Sequence, residues 1–470
     1  MILASAHPAT SSDRRIAAEV QAARDRLGPD AVLGLWVELE DKGLAPESAR
    51  AALRAIEAGW TEPVRRRRLR ASAAAAQLDL PVQPRYVDRL RREGARIRYA
   101  SRWLNAVSLD AEAHRLERLA AGPEVSAVRL RARYRLPEVE VDSAPPPPAG
   151  ARVPRGAGLD YGPAAGQIRQ IQAHRLHRKG LSGRGVIVCM IDTGFRRDHE
   201  ALRSRPVLAE RDFIFGDRET ANQPGDAPSQ WEHGTGTWSV LGGFAPGRLI
   251  GPAYGSTFLL AKTEDIRSET RIEEDYFVAA AEWADQRGAD VISASLGYLG
   301  FDDGFSYTPG QLDGASAVTS RAVNAAAEVG ITVCVAVGNQ GPQSASLITP
   351  ADAFEILAVG AISPNRQIAI FSSRGPTADG RIKPEVVAQG IATYWADADD
   401  PESYGLASGT SLATPLVGGG AALLLEAHPD WGPRQVREAL LQTASRHAAP
   451  DNSYGYGLIQ LKKAERYRFR

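Results

Sequence analysis

Four short runs in the second half of the chain, GVIVCMID (185–192), STFLLAKT (256–263), DVISASLG (290–297) and ITVCVAVGN (331–339), are almost continuously apolar. A strand with one wet face alternates apolar and polar residues. Runs without that alternation must be covered on both faces, which is the condition of parallel sheets wrapped by crossover helices. Helical stretches do lie between them. In RIEEDYFVAAAEWADQRG the residues Ile272, Tyr276, Phe277, Ala280, Trp283 and Ala284 share one helical face and Gly288 ends it; residues 312–330 behave alike and stop at Gly330. The predicted class is α/β, a parallel sheet with helices on both faces.

The first part of the chain is built differently. EVEVDSAPPPPAGARVPRGAGLDYGPAAGQ (138–167) is too rich in Pro, Gly and Ala to pack and reads as an extended linker. The expected division is a domain at 1–135, a linker at 136–160 and a second domain at 161–470. Within the first, a strand is expected at 31–39, a helix at 84–94, two short strands within 96–109, a helix at 110–122 and a strand at 125–134. The order β-α-β-β-α-β is that of a small α+β ferredoxin-like domain. Residues 45–80 read as a helical insertion, and its RRRRLR run (65–70) as a solvated helix face.

Composition removes several function classes. Lys+Arg and Asp+Glu both number 56, so no net charge points to nucleic acid or an anionic membrane. Cys189 and Cys334 sit in apolar runs and read as small buried hydrophobes, with no disulfide framework or metal motif. No run approaches the ~18 consecutive apolar residues of a bilayer span. The opening MILASAHPATSSDRR lacks a basic n-region and is no convincing signal peptide.

In an open parallel sheet, chemistry sits beyond the carboxyl ends of the strands. The first run ends in Asp192, the third in Ser295, Leu296 and Gly297, the fourth in Asn339. Neither G-x-G-x-x-G opening a helix nor G-x-x-x-x-G-K-[ST] is present, which counts against a nucleotide-dependent enzyme. His233 is followed by small residues that would let backbone pack beside its ring; His199, 199 − 192 = 7 residues after Asp192, is the competing histidine. Ser411 opens an apolar helix in SGTSLATP, with Pro415 tolerable only in a first turn. Such a serine is either a helix cap or a nucleophile facing the free N–H groups of the helix start.

DTG at 192–194, HGTGT at 233–237 and GTSLATP at 409–415 stand in the order Asp, His, Ser, with gaps of 233 − 192 = 41 and 411 − 233 = 178. In this the chain resembles the subtilisin-like serine proteases, the subtilases of peptidase family S8, over roughly residues 160–460. The resemblance implies a serine endopeptidase with Asp192, His233 and Ser411 as the triad and Asn339 as oxyanion donor. It implies that Ser295, Leu296 and Gly297 form a substrate-binding segment. It also implies that the first domain is an I9-like propeptide, an intramolecular inhibitor and chaperone, so that the protein is made as a zymogen. Partners are then protein or peptide substrates, with no nucleic acid and no membrane span. A secreted or periplasmic location follows from the same likeness. Where the family often has a second histidine in His-Gly-Thr-His, this chain has Gly236. Calcium commonly stabilises subtilases, but no ligand motif is assignable, and DADDPE (397–402) reads as a solvated loop; no cofactor is expected. The alternative is a catalytically silent binding protein on the same fold.

Overall fold

The computed structural model describes residues 15–74, 76–131, 158–268, 270, 272–300, 302 and 306–469. The expected linker at 136–160 lies outside the described residues except for its last three. The chain forms two compact units, one from the residues up to Trp60 together with those from Ala74 to Ala132, the other from Thr61–Ala73 and the residues after Ala132.

In the first unit, strands β1 (Val32–Leu39), β2 (Arg96–Ser101), β3 (Ala106–Glu112) and β4 (Val125–Leu130) make an antiparallel sheet of order β2-β3-β1-β4. Leu35, Val37, Val107, Leu109 and Val128 supply its buried face. Helices α1 (Ala18–Leu27), α2 (Pro46–Ala58), α4 (Pro84–Arg92) and α5 (Leu116–Ala120) belong with it, and α3 (Glu62–Arg70) falls in the second unit. The helix expected at 110–122 is shorter: the strand runs on to Glu112 and a 3-10 turn, Ala113–Arg115, precedes α5. Ladder bonds through Val32↔Glu112 hold those residues extended against their helix propensity.

The second unit contains a seven-stranded parallel sheet. Its strands are β5 (Ile187–Asp192), β6 (Val207–Asp212), β7 (Thr257–Lys262), β8 (Val291–Ala294), β9 (Thr332–Ala336), β10 (Leu357–Ile362) and β11 (Val386–Gln389), in the order β11-β10-β9-β8-β5-β7-β6. Every residue of β5, β8 and β9 is buried, as two covered faces require. Helices α6 (Glu232–Gly242), α7 (Ile272–Gln286), α8 (Val318–Glu328) and α9 (Thr410–Ala427) flank it. α9 is long and apolar enough to cross a membrane by composition, yet its residues from Thr410 to Leu425 are buried in the core. Cys189 and Cys334 are free and buried, and burial raises both thiol pKa values.

Candidate active site

Asp192 is the last residue of β5 and fully buried. Its Oδ1 accepts the Thr193 N–H at 2.8 Å and lies 2.6 Å from His233 Nδ1, and its Oδ2 accepts the Thr237 hydroxyl at 2.9 Å. A carboxylate held from three sides cannot rotate away from the imidazole, and its charge assigns the Nδ1 proton to the shared bond. His233 is the second residue of α6, with Thr237 one turn on, so both reach Asp192 from the same helix face. Gly234 is needed for that approach. A Cβ there would lie 2.2 Å from the Gly194 carbonyl oxygen, within the turn that follows Asp192.

Burial alone would lower the His233 pKa. The Asp192 carboxylate, its hydrogen bond, and the more distant Glu232 and Glu264 outweigh that and raise it. Glu264 is itself buried just beyond β7; its Oε1 accepts from Tyr298 Oη at 2.8 Å and Thr263 Oγ1 at 2.9 Å. Desolvation pushes its pKa up to about 7, against those hydrogen bonds, with Asp192 adding to the rise. Glu264, Tyr298 and Thr237 went unread in the sequence. Asking what ends the STFLLAKT strand, as was asked of its neighbours, finds Glu264.

Ser411 is the second residue of α9, and the N-cap is Gly409. The cap reading of Ser411 therefore fails: the N-cap, Gly409, has no side chain to offer, and Ser411 Oγ, though buried, has no hydrogen-bond partner among the described residues. A Cβ on Gly409 would stand 2.8 Å from Ser411 Oγ and 3.6 Å from Asn339 Nδ2, so these two atoms flank one small space that only glycine leaves open. Asn339, three residues beyond β9, accepts the Thr410 N–H at 3.0 Å and the Thr410 hydroxyl at 2.9 Å through Oδ1. That fixes the amide and turns its N–H donors to the opposite edge.

Pro415 lies just past the first turn, not inside it. It has no N–H to give to the carbonyl of Ser411 four residues back. The Ser295 hydroxyl supplies the missing donor, bonding to Ser411 O at 2.8 Å. Among the described residues, Leu296 and Gly297, both buried, make no backbone–backbone hydrogen bond. His199, the competing histidine, is committed elsewhere: Nε2 lies 2.8 Å from the Ser403 carbonyl and Nδ1 accepts the Ala201 N–H at 3.1 Å.

Residues 183–457, more than half of the chain, match the subtilase family of peptidase S8. The chain belongs to the subtilase family. It is a serine-type endopeptidase, and residues 34–143 match the peptidase S8 propeptide domain of Bacteroidota. It is 31% identical to the serine protease AprX of Bacillus subtilis over 314 residues, covering 60% of this chain and 67% of that protein. Against the subtilisin of Bacillus pumilus the identity is 32% over 299 residues, 63% of this chain and 97% of the relative. Fervidolysin of Fervidobacterium pennivorans, a keratinolytic enzyme related to subtilisin, superposes with a TM-score of 0.63 at 22% identity, over 83% of this chain and 60% of that one. That last likeness bears on fold alone.

The glycine that stands where the family often has a second histidine has a physical explanation. At Gly236 a Cβ would lie 1.7 Å from Trp395 Cε3, so the buried indole fills the space that a side chain on α6 would take. Among the described residues no cluster of three or more His, Cys, Asp or Glu is placed to hold a metal ion. Asp212 and Asp226 close on the buried Lys262 ammonium at 2.9 and 2.7 Å.

Proposed function

We propose that this subtilase hydrolyses peptide bonds through Asp192, His233 and Ser411 and that its first domain holds it inactive until cleaved away. The reading rests most on one observation: the Asp192–His233 pair stands at the carboxyl end of β5, while Ser411 Oγ and Asn339 Nδ2 flank a single opening at the start of α9. The Ser411 oxygen attacks the substrate carbonyl carbon and His233 Nε2 takes its proton. The tetrahedral oxyanion accepts hydrogen bonds from Asn339 Nδ2 and the Ser411 N–H at the positive end of α9. His233 returns the proton to the departing amine, leaving an acyl-enzyme. Water, deprotonated by the same histidine, then releases the acid and restores the hydroxyl. Asp192 holds the imidazole in its working tautomer and stabilises the imidazolium. Ser411 and His233 need not be bonded beforehand, because such contacts commonly tighten only with substrate present.

The unpaired peptide groups of Leu296 and Gly297 support docking of an extended chain as an added strand. Family membership and the matched propeptide support synthesis as a self-inhibited zymogen, and a location outside the cytoplasm. The test is mass spectrometry of two preparations. Wild type should cut itself between about residues 135 and 165, where proline-rich chain is open to proteolysis, and Ser411→Ala should stay full length. Equal fragmentation of both would contradict self-processing. A silent binding protein would leave both intact.

A further inference from the structure

The arginine run expected to be a solvated face is solvated at Arg65 but buried at Arg67 and Arg68. In α3, Val64, Arg67 and Arg68 recur at the i, i+3, i+4 spacing of a helix face, with relative exposures of 4%, 0% and 2%, whereas Leu69 is 73% exposed. Arginine thus holds the positions where an amphipathic helix normally carries apolar residues.

What it meets explains this. α7 and α8 end side by side in the second unit, and the last carbonyls of a helix lack intrahelical donors and carry the negative end of its dipole. Arg67 donates to Val329 O at 3.2 Å beyond α8, and to Ala289 O at 2.9 Å and Asp285 O at 3.3 Å at the end of α7. It also pairs with the Asp285 carboxylate, which Arg68 reaches at 3.3 Å. Asp290, fully buried, is bonded by Arg66 at 3.2 Å and by Arg70, and its Oδ2 also accepts the Ile187 N–H at the start of β5 at 2.9 Å. Acids at helix C-termini are unfavourable unless a cation faces them. The two helix-ending glycines complete the seat. A Cβ on Gly288 would lie 2.6 Å from Pro63 Cβ, and one on Gly330 2.7 Å from Ala71 Cβ.

We propose that the surface formed by the C-terminal ends of α7 and α8 with Asp285 and Asp290 is a binding site for a guanidinium-bearing helix, filled by the chain's own Thr61–Ala73. That segment is then a working part of the catalytic unit, although the sequence carries it inside the propeptide. If the zymogen reading holds, Thr61–Ala73 stays seated after cleavage in the linker, and the rest of the first domain can leave only once the chain is also cut on both sides of the segment, near Trp60 and Ala74. Stripping it away would forfeit the charge-assisted bonds to Asp285 and Asp290 and the bonds to three carbonyls, so with those cuts made the mature enzyme keeps it as a bound peptide.

Hydrogen exchange on the full-length Ser411→Ala chain tests the proposal without needing catalysis, so its failure is separate from failure of the mechanism. Amides of Arg66–Arg70 should open with β5 and β8. Adding Leu35→Ala, a cavity in the first unit, should speed exchange in β1 and β3 and leave Arg66–Arg70 unchanged. Adding Arg67→Lys, which keeps the charge and loses the fork, should speed exchange of Arg66–Arg70 on the order of tenfold or more and leave β1 and β3 unchanged. Acceleration of Arg66–Arg70 by Leu35→Ala would overturn the proposal, as would indifference to Arg67→Lys. Should Arg67→Lys fail to fold, the Leu35→Ala arm decides alone.

Discussion

Replacing Ser295 by alanine takes away one hydroxyl and leaves a second oxygen without a partner. The Ser411 carbonyl has no helical donor because Pro415 stands four residues on, and its hydrogen bond from Ser295 Oγ, at 2.8 Å, is the substitute. Both residues are buried, at 6% and 3% exposure, so water cannot readily step in. A stranded buried acceptor costs about 1–3 kcal/mol. At about 2 cal/mol/K of unfolding entropy per residue, a unit of more than 300 residues loses about 1–2 °C of melting temperature per kcal/mol, so Ser295→Ala should lower it by roughly 1–6 °C. The loss should depend on Pro415. In a Pro415→Ala background the new N–H can bond to Ser411 O, and Ser295→Ala should then cost little. Urea unfolding of the four combinations, each carrying Ser411→Ala to prevent self-digestion, measures the coupling directly. A coupling above about 0.5 kcal/mol is expected, since residues sharing one acceptor are not independent. Strict additivity would refute the view that Ser295 stands in for the proline's missing donor.

Asp192→Asn, which cannot hold the imidazole in its working tautomer, should cut kcat on the order of 10⁴-fold with little change in KM, read by peptide hydrolysis. Asn339→Ala should cost ~3 kcal/mol of transition-state stabilisation, the magnitude known for such a donor in subtilisin itself, again in kcat. Gly236→His forces a side chain into the Trp395 ring and should destabilise by about 1–3 kcal/mol or more, seen in thermal unfolding. His233 must be neutral to act as base, and its pKa is raised, so activity should fall as pH drops through a value above the ordinary imidazole range. Glu264→Gln removes one of the charges that raise it and should move this acid limb of kcat/KM to lower pH.

The strands that place the site were legible because two buried faces leave no alternation to misread; β5, β8 and β9 fall within the apolar runs. β10 and β11 escaped because LAVGAI and VVAQ are short and carry small residues that periodicity does not distinguish. Ser411 read as either a cap or a nucleophile because serine favours a helix start; its place, two residues past Gly409 with its carbonyl bonded by Ser295, depends on contacts distant in sequence. The Arg65–Arg70 run misled for a deeper reason. Charge predicts solvent only when no partner charge is buried opposite, and Asp285 and Asp290 lie more than two hundred residues away in the chain.

The proposed mechanism makes Ser411 the nucleophile activated by His233. A serine-directed fluorophosphonate, followed by peptide mapping of the processed wild-type protein, addresses it most directly. One adduct is expected, on Ser411, absent from a protein carrying His233→Ala. No adduct on wild type, or an adduct on a different serine, would contradict the account.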